Sequence, residues 1–174
     1  MVQSKFSQFH LIENKENTGF SAANNQAIQL AQGEYILLLN PDTLIEEDTL
    51  VKVVKFMDKN PDAGGLGVKM IDGQGKFLPE SKRGLPTPRV ALFKMIGLSK
   101  LFPQSKFFNH YHLGFLDKDT THKIEVLSGA FMLLRKSAVE KSGLLDETFF
   151  MYGEDIDLSY RLIKSGYNNY YYSD

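Results

Sequence analysis

Apolar and polar positions alternate along this chain in short blocks. The run Tyr35-Ile36-Leu37-Leu38-Leu39 has no polar break and stops at Asn40-Pro41-Asp42. A short continuous apolar run suits a strand buried on both faces of a parallel sheet. Upstream, residues 9–12 read as a short strand, followed by a polar loop over residues 13–19. Residues 21–31 carry Ala23, Ala27, Leu30 and Ala31 at helical spacing, with Gly33 as the stop. Residues 46–59 give an amphipathic helix: Leu50, Val53, Val54 and Met57 share a face, acids crowd the first turn, and Pro61 ends it. Residues 65–71 read as another strand, and Asp72-Gly73-Gln74-Gly75 as a hairpin turn. This succession predicts an α/β fold with a mostly parallel sheet and flanking helices.

Residues 78–122 break the rhythm. Pro79, Pro86, Pro88 and Pro103 punctuate an irregular excursion with one short helix within residues 89–102. Its Val90, Leu92, Phe93, Ile96, Leu98, Leu101 and Phe102 either cover the core or form a basic, partly apolar face, with Lys82, Arg83 and Arg89 nearby. Order returns afterwards. Residues 124–127 and 130–134 suit strands separated by Ser128-Gly129. Ser137-Ala138-Val139-Glu140 matches a capping box opening a short helix that Gly143 closes. Residues 155–165 read as a helix with Ile156, Tyr160 and Ile163 on one face, ended by Gly166, and residues 168–172 as a strand.

Length and composition narrow the function. A chain of 174 residues is about one domain. A formal net charge of −1 gives no general attraction to nucleic acid, so none is expected as a partner. The absence of cysteine removes disulfides, thiolate chemistry and Cys-ligated metals, and fits a reducing, cytoplasmic setting. No apolar run approaches the roughly 20 residues that span a bilayer, and the polar opening of residues 1–8 is not expected to act as a signal peptide. His10, His110, His112 and His122 show no metal-ligand spacing beyond His110-x-His112 and read as surface or packing residues.

The candidate chemistry sits at element ends. Asp42 places a carboxylate at a strand's C-terminal edge, where open α/β sheets bind ligands, although Asn-Pro-Asp-Thr also makes a good turn. Glu154-Asp155 opens a helix; such acids either do chemistry or complement the helix dipole. Asn17-Thr18-Gly19-Phe20-Ser21-Ala22-Ala23-Asn24-Asn25 combines a glycine loop with a helix start that could face phosphate. Ser128-Gly129-Ala130 brings small residues together, for close substrate approach or close strand packing.

In order and spacing these segments resemble the family 2 glycosyltransferases, particularly the rhamnosyltransferase-like branch. The resemblance implies a Rossmann-like, glycosyltransferase A-type nucleotide-diphospho-sugar transferase fold. It also implies metal-dependent inverting transfer of a hexose, such as rhamnose, from a nucleotide sugar donor to a glycan or lipid-linked acceptor in surface polysaccharide synthesis. Asp42 would hold Mg²⁺ or Mn²⁺. Most relatives carry Asp-x-Asp where this chain has Asn40-Pro41-Asp42, but Asn is common at the first position in this branch, and Asn40 can still offer an oxygen. Asn17, Gly19, Asn24, Asn25, Asn40 and Asp42 would form the donor and cofactor site, and Ser128, Gly129 and Ala130 would border the acceptor. Asp155 would be the catalytic base with Glu154 in support, while Asp157 would be structural. The chain then divides into a donor-binding half (1–77), the excursion (78–122) and an acceptor and catalytic half (123–174).

The resemblance also implies a base-binding segment before Phe9 and a metal-site His after Tyr172. This sequence shows neither, so a fragment is expected, with an open sheet edge that favours homo-oligomers. A lipid-linked acceptor predicts peripheral contact at the inner face of the cell membrane. Two rival readings remain. One is a non-catalytic sugar-nucleotide or acceptor-binding module. The other is a nucleotidyltransferase, which should show a basic Gly-rich N-terminal loop that this sequence lacks.

Overall fold

A computed structural model describes residues 5, 6 and 8–174. The elements, in chain order, begin with α1 (Gly19–Leu30), β1 (Tyr35–Leu39), α2 (Thr49–Lys59) and β2 (Ala63–Val68). A 3-10 turn (Pro79–Ser81) and the short helices α3 (Pro88–Met95) and α4 (Leu98–Leu101) follow. The last third holds β3 (His122–Ile124), β4 (Phe131–Arg135), α5 (Lys136–Ser142), α6 (Glu154–Lys164) and β5 (Asn168–Tyr172).

The five strands form one sheet in the order β1-β4-β2-β5-β3. β1, β2 and β5 run in one direction, with β4 and β3 against them. The α/β architecture is as expected. Most strands share a direction, but only the β2–β5 ladder is a parallel pair, because β4 inserts between β1 and β2. Residues 9–12 form no strand: Phe9 and Leu11 are exposed, and no neighbour pairs with them among the described residues.

The unbroken apolar run of β1 is explained by burial on two sides. Ile36 and Leu38 join one core with Met132 and Leu134 of β4 and Leu158 and Leu162 of α6. Tyr35 and Leu37 pack against the second, where Val53 and Met57 of α2 meet Leu66, Phe131 and Leu133. Alternation along β5 does the same, with Tyr171 facing the first core and Tyr170 the second.

Several local expectations give way to long-range contacts. The buried face of α1 is Ser21, Asn25 and Ile28, not the alanines, and Leu30 is exposed. Asn25 explains the rotation: its amide donates to the Leu145 carbonyl (2.8 Å) and Glu147 (2.9 Å), and its carbonyl accepts from Leu145 N (3.0 Å). In α2, Val53 and Met57 are buried but Leu50 is exposed, and the acids at residues 46–48 precede the helix. The capping box does not form. Helix α5 already begins at Lys136, with Arg135 at the N-cap, so Ser137 lies inside the first turn. The excursion holds two short helices rather than one, separated at Gly97 with φ +79°. The inward face of α6 is Leu158, Ser159 and Leu162, not Ile156, Tyr160 and Ile163.

The glycines of central β2 have a steric cause. A Cβ at Gly64 would lie 2.6 Å from Cβ of Tyr167, an atom with no rotamer to escape through. The measurement is urea denaturation of Gly64→Ala, expected to lose about 1–3 kcal/mol from overpacking. Gly73→Ala, whose Cβ meets nothing within 4 Å, is the control and should stay near wild type.

Candidate active site

Antiparallel pairing puts Leu39 opposite Phe131, so the end of β1 meets the start of β4. Asn40 N donates to the Ala130 carbonyl (3.0 Å), and Thr43 N donates to the Asn40 carbonyl (3.1 Å), closing the turn. Thr43 Oγ1 also reaches Ala130 O at 3.4 Å. The Asn40-Pro41-Asp42 turn therefore lies directly beside Ser128-Gly129-Ala130. The Asp42 carboxylate is exposed on this rim.

The glycine loop closes on the same place from another side. Asn17 Oδ1 accepts from Gly19 N at 3.1 Å. Gly19 has φ +81°, and a Cβ there would stand 2.6 Å from the Phe150 carbonyl, to which Phe20 N donates at 2.9 Å. Only glycine satisfies both the turn and this approach. The Phe20 ring in turn lies 3.8 Å from where a Gly129 Cβ would sit. Asn24 and Asn25 do not open the helix, which starts at Gly19. Asn24 donates to Phe20 O at 2.8 Å within α1, and Asn25 is engaged by residues 145 and 147.

The acidic pair completes the rim. Before it, Tyr152 (φ 69°) and Gly153 (φ +103°) take left-handed conformations, and a non-glycine residue held there stores strain of about 1–3 kcal/mol. Helix α6 then begins with Glu154 and Asp155. Asp155 is ion-paired through Oδ2 to Arg83, while its Oδ1 accepts from Ile156 N at 2.8 Å. Arg83 also donates to the Leu127 carbonyl at 2.6 Å, immediately before Ser128. Burial works against the Arg83 charge, but Asp155 and the Tyr111 hydroxyl more than offset it, so its pKa is raised.

Glu154 is different. It is only 6% exposed, and its Oε2 has no hydrogen-bond partner among the described residues. Burial, reinforced by the neighbouring Asp155 charge, outweighs its backbone hydrogen bond and Arg83, and pushes its pKa up. A buried carboxyl oxygen without a partner is costly, so this atom suits a bound hydroxyl or water. Asp157 turns away to Arg161, which contacts it at 2.6 Å one helical turn on.

Arg83 is the residue that local sequence could not single out, since its carboxylate partner is 72 positions away. Its strip is fixed from both sides. Val126 N donates to Arg83 O (2.9 Å), and Gly84 N donates to Tyr111 O (2.8 Å). Glu125 Oε2 accepts from Leu85 N (2.7 Å) and pairs with His110 (2.8 Å). His110 thus packs as a support of this strip. Beside the acidic pair, Leu85, Pro86, Thr87, Phe149, Gly153, Ile156, Asp157 and Tyr160 line an open cleft of about 420 Å³. Ile156 and Tyr160 are apolar because they form this wall, not because they face the core.

A divalent ion would find few protein ligands here. Among the described residues no group of three or more His, Asp or Glu side chains converges. The exposed Asp42 carboxylate makes no hydrogen bond or ion pair among them, and Asn40 adjoins it. This set fits an ion held by one carboxylate with most ligands from phosphate and water; it does not fit an all-protein cage.

Comparison with known proteins bears on the family of the chain. A family model described as glycosyl transferase family 2 matches residues 1–143, ending short of the acidic pair. The chain is similar to the N-acetylglucosaminyl-diphospho-decaprenol L-rhamnosyltransferase of Mycobacterium tuberculosis, at 26% identity over 178 positions covering 96% of this chain and 57% of that protein. It is similar to rhamnosyltransferase WbbL of Escherichia coli K12, at 28% over 162 positions covering 88% and 57%. It is also similar to the low-salt glycan biosynthesis hexosyltransferase Agl10 of Haloferax volcanii, at 26% over 163 positions covering 91% and 48%. The chain therefore spans about half the length of these relatives. With the match covering most of its length, this chain belongs to glycosyl transferase family 2.

Proposed function

We propose that the protein acts in the inverting transfer of a hexose, rhamnose in the first instance, from a nucleotide diphosphate sugar to a hydroxyl of a glycan or lipid-linked acceptor in surface polysaccharide synthesis. The observation that carries this reading is the meeting, on one rim, of the Asp42 turn, the Asn17–Gly19 loop and the Glu154-Asp155 pair fixed by Arg83. Rhamnose is supported by two of the relatives, both rhamnosyltransferases by name. A nucleotide sugar donor favours the cytoplasmic side. No helix among the described residues is long and apolar enough to cross a membrane.

In this reading the acceptor hydroxyl enters beside Ser128, Gly129 and Ala130. Asp155 removes its proton as the oxygen bonds to the anomeric carbon on the face opposite the leaving group. The bond from that carbon to the diphosphate oxygen breaks, and the nucleoside diphosphate leaves with the electron pair. Arg83, ion-paired with Asp155, holds that carboxylate in place. Glu154, favoured as the neutral acid, donates to the acceptor from its otherwise unpartnered edge. Asp42, with Asn40 beside it, would hold Mg²⁺ or Mn²⁺, which when bound supplies neutralising charge for the departing diphosphate. The Asn17–Gly19 loop and the start of α1 contact the donor.

Asp155→Asn, assayed by nucleotide release, is expected to lower turnover about 10²-fold or more while leaving donor affinity nearly unchanged. Near-full turnover in that variant together with an inactive Glu154→Gln would move the base to Glu154. For the metal, calorimetric titration with nucleoside diphosphate should show tighter binding in Mg²⁺ or Mn²⁺ than in chelator. Asp42→Ala should abolish the difference without changing the urea midpoint; equal affinity with ion and with chelator defeats the assignment.

A further inference from the structure

The excursion helices turn the usual amphipathic arrangement outward. Among the described side chains of α3 only Val90 is buried, while Leu92 is 47% and Met95 79% exposed, and Ile96 follows at 56%. Leu101, the last residue of α4, is 69% exposed. Their scaffold is a small aromatic cluster of Phe93, Phe102, Phe107 and Phe108, with ring centroids 5.1–5.3 Å apart. The exposed residues are therefore not covering the main core, which removes the simpler reading of this surface.

The charge of the same segment is one-signed. Residues 81–116 contain no Asp or Glu but hold Lys82, Arg83, Arg89, Lys94, Lys100 and Lys106, in a chain whose formal net charge as a whole is −1. Lys82 and Arg83, which the sequence suggested for this surface, turn inward: Lys82 is 3% exposed and donates to Leu113 O at 2.7 Å, and Arg83 pairs with Asp155. Arg89 and Lys106 stay at the surface, over the rings of Phe107 (4.7 Å) and Phe115 (5.5 Å). Positions 94 and 100 add two further lysines within or beside the helices.

We propose that α3, α4 and the Phe102–Phe107 turn dock on an anionic phospholipid bilayer. Exposed apolar side chains flanked by the cations Arg89 and Lys106 suit the boundary of headgroups and acyl chains, where burial and attraction to anionic lipid act together. A second copy of the chain is a poorer occupant, because a self-complementary contact would bring Arg89 and Lys106 towards their own copies, and like charges oppose it. The placement also has a consequence for the site. Leu85, Pro86 and Thr87, which lead into α3, form one wall of the cleft beside Glu154 and Asp155. Docking would hold that cleft at the lipid surface, where a lipid-linked acceptor presents its sugar.

The test is sedimentation of the 174-residue chain with vesicles of equimolar phosphatidylglycerol and phosphatidylcholine, against vesicles of phosphatidylcholine alone. The chain should sediment with the anionic vesicles at least ~10-fold more strongly, and added salt should weaken it. The triple variant Leu92→Glu, Met95→Glu, Leu101→Glu should stay in solution with an unchanged circular dichroism spectrum. If it unfolds, Arg89→Glu with Lys106→Glu serves instead, since neither side chain is buried. Equal binding to both vesicles, or binding undiminished by a folded variant, overturns the proposal. So does a sizing run in which the parent forms dimers that the same substitutions dissolve, since the face would then be an interface between copies. No donor or acceptor is present, so failure here leaves the transferase reading intact, and an inactive enzyme leaves this one intact.

Discussion

Arg83 ties three separate stretches of the chain to one point. Its guanidinium is largely removed from water, with 12% of the side chain accessible, and Asp155 is at 14%. A charge so placed is tolerable only when it is paired and hydrogen-bonded; Arg83 is paired with Asp155 and donates to the Leu127 carbonyl, while its buried Nε has no partner among the described residues. The pair fixes the start of α6 relative to the start of β4. It also anchors the root of the excursion, whose backbone bonds to Val126 on one side and Tyr111 on the other. Removing either charge would leave the other buried beside the acidic pair.

The rim depends on sheet order as well. Because β4 lies between β1 and β2 and runs against both, the loop entering it arrives where β1 ends. That is why Asn40 and Ala130, far apart along the chain, are hydrogen-bonded without either being chosen by local propensity. Glu154 and Asp155 show how adjacent carboxyls are pushed apart in character. Glu154 is buried, its Oε2 has no partner among the described residues, and burial pushes its pKa up; Asp155 is paired with Arg83.

Much of this was legible in the sequence where a local rule governs. The apolar run of β1 marks that strand because both faces of the sheet are covered. The glycine stops after α5 and α6 hold, with Gly143 and Gly166 in the left-handed region. The rim segments were legible as motifs, although their roles are not carried by geometry alone. What the sequence hid depends on partners far along the chain. Asn25 reads as a helix-opening residue, yet its side chain bonds 120 positions away. Residues 9–12 have strand composition but no neighbour to pair with among the described residues. Ile156 and Tyr160 carry a helical apolar period that faces a cleft, and periodicity cannot distinguish a cleft from a core. Lys82 and Arg83 looked like surface charge, and nothing near them in sequence announces burial.

A double-mutant cycle across Arg83 and Asp155 tests the central claim most directly. Urea denaturation would be measured for the parent, Arg83→Met, Asp155→Asn and the double variant. The account predicts that the single variants each lose several times what the second substitution then adds, with a coupling of about 1–3 kcal/mol. Losses that add to within about 0.3–0.5 kcal/mol would mean that Arg83 and Asp155 stabilise the fold independently, and would contradict the claim that this pair holds the rim together.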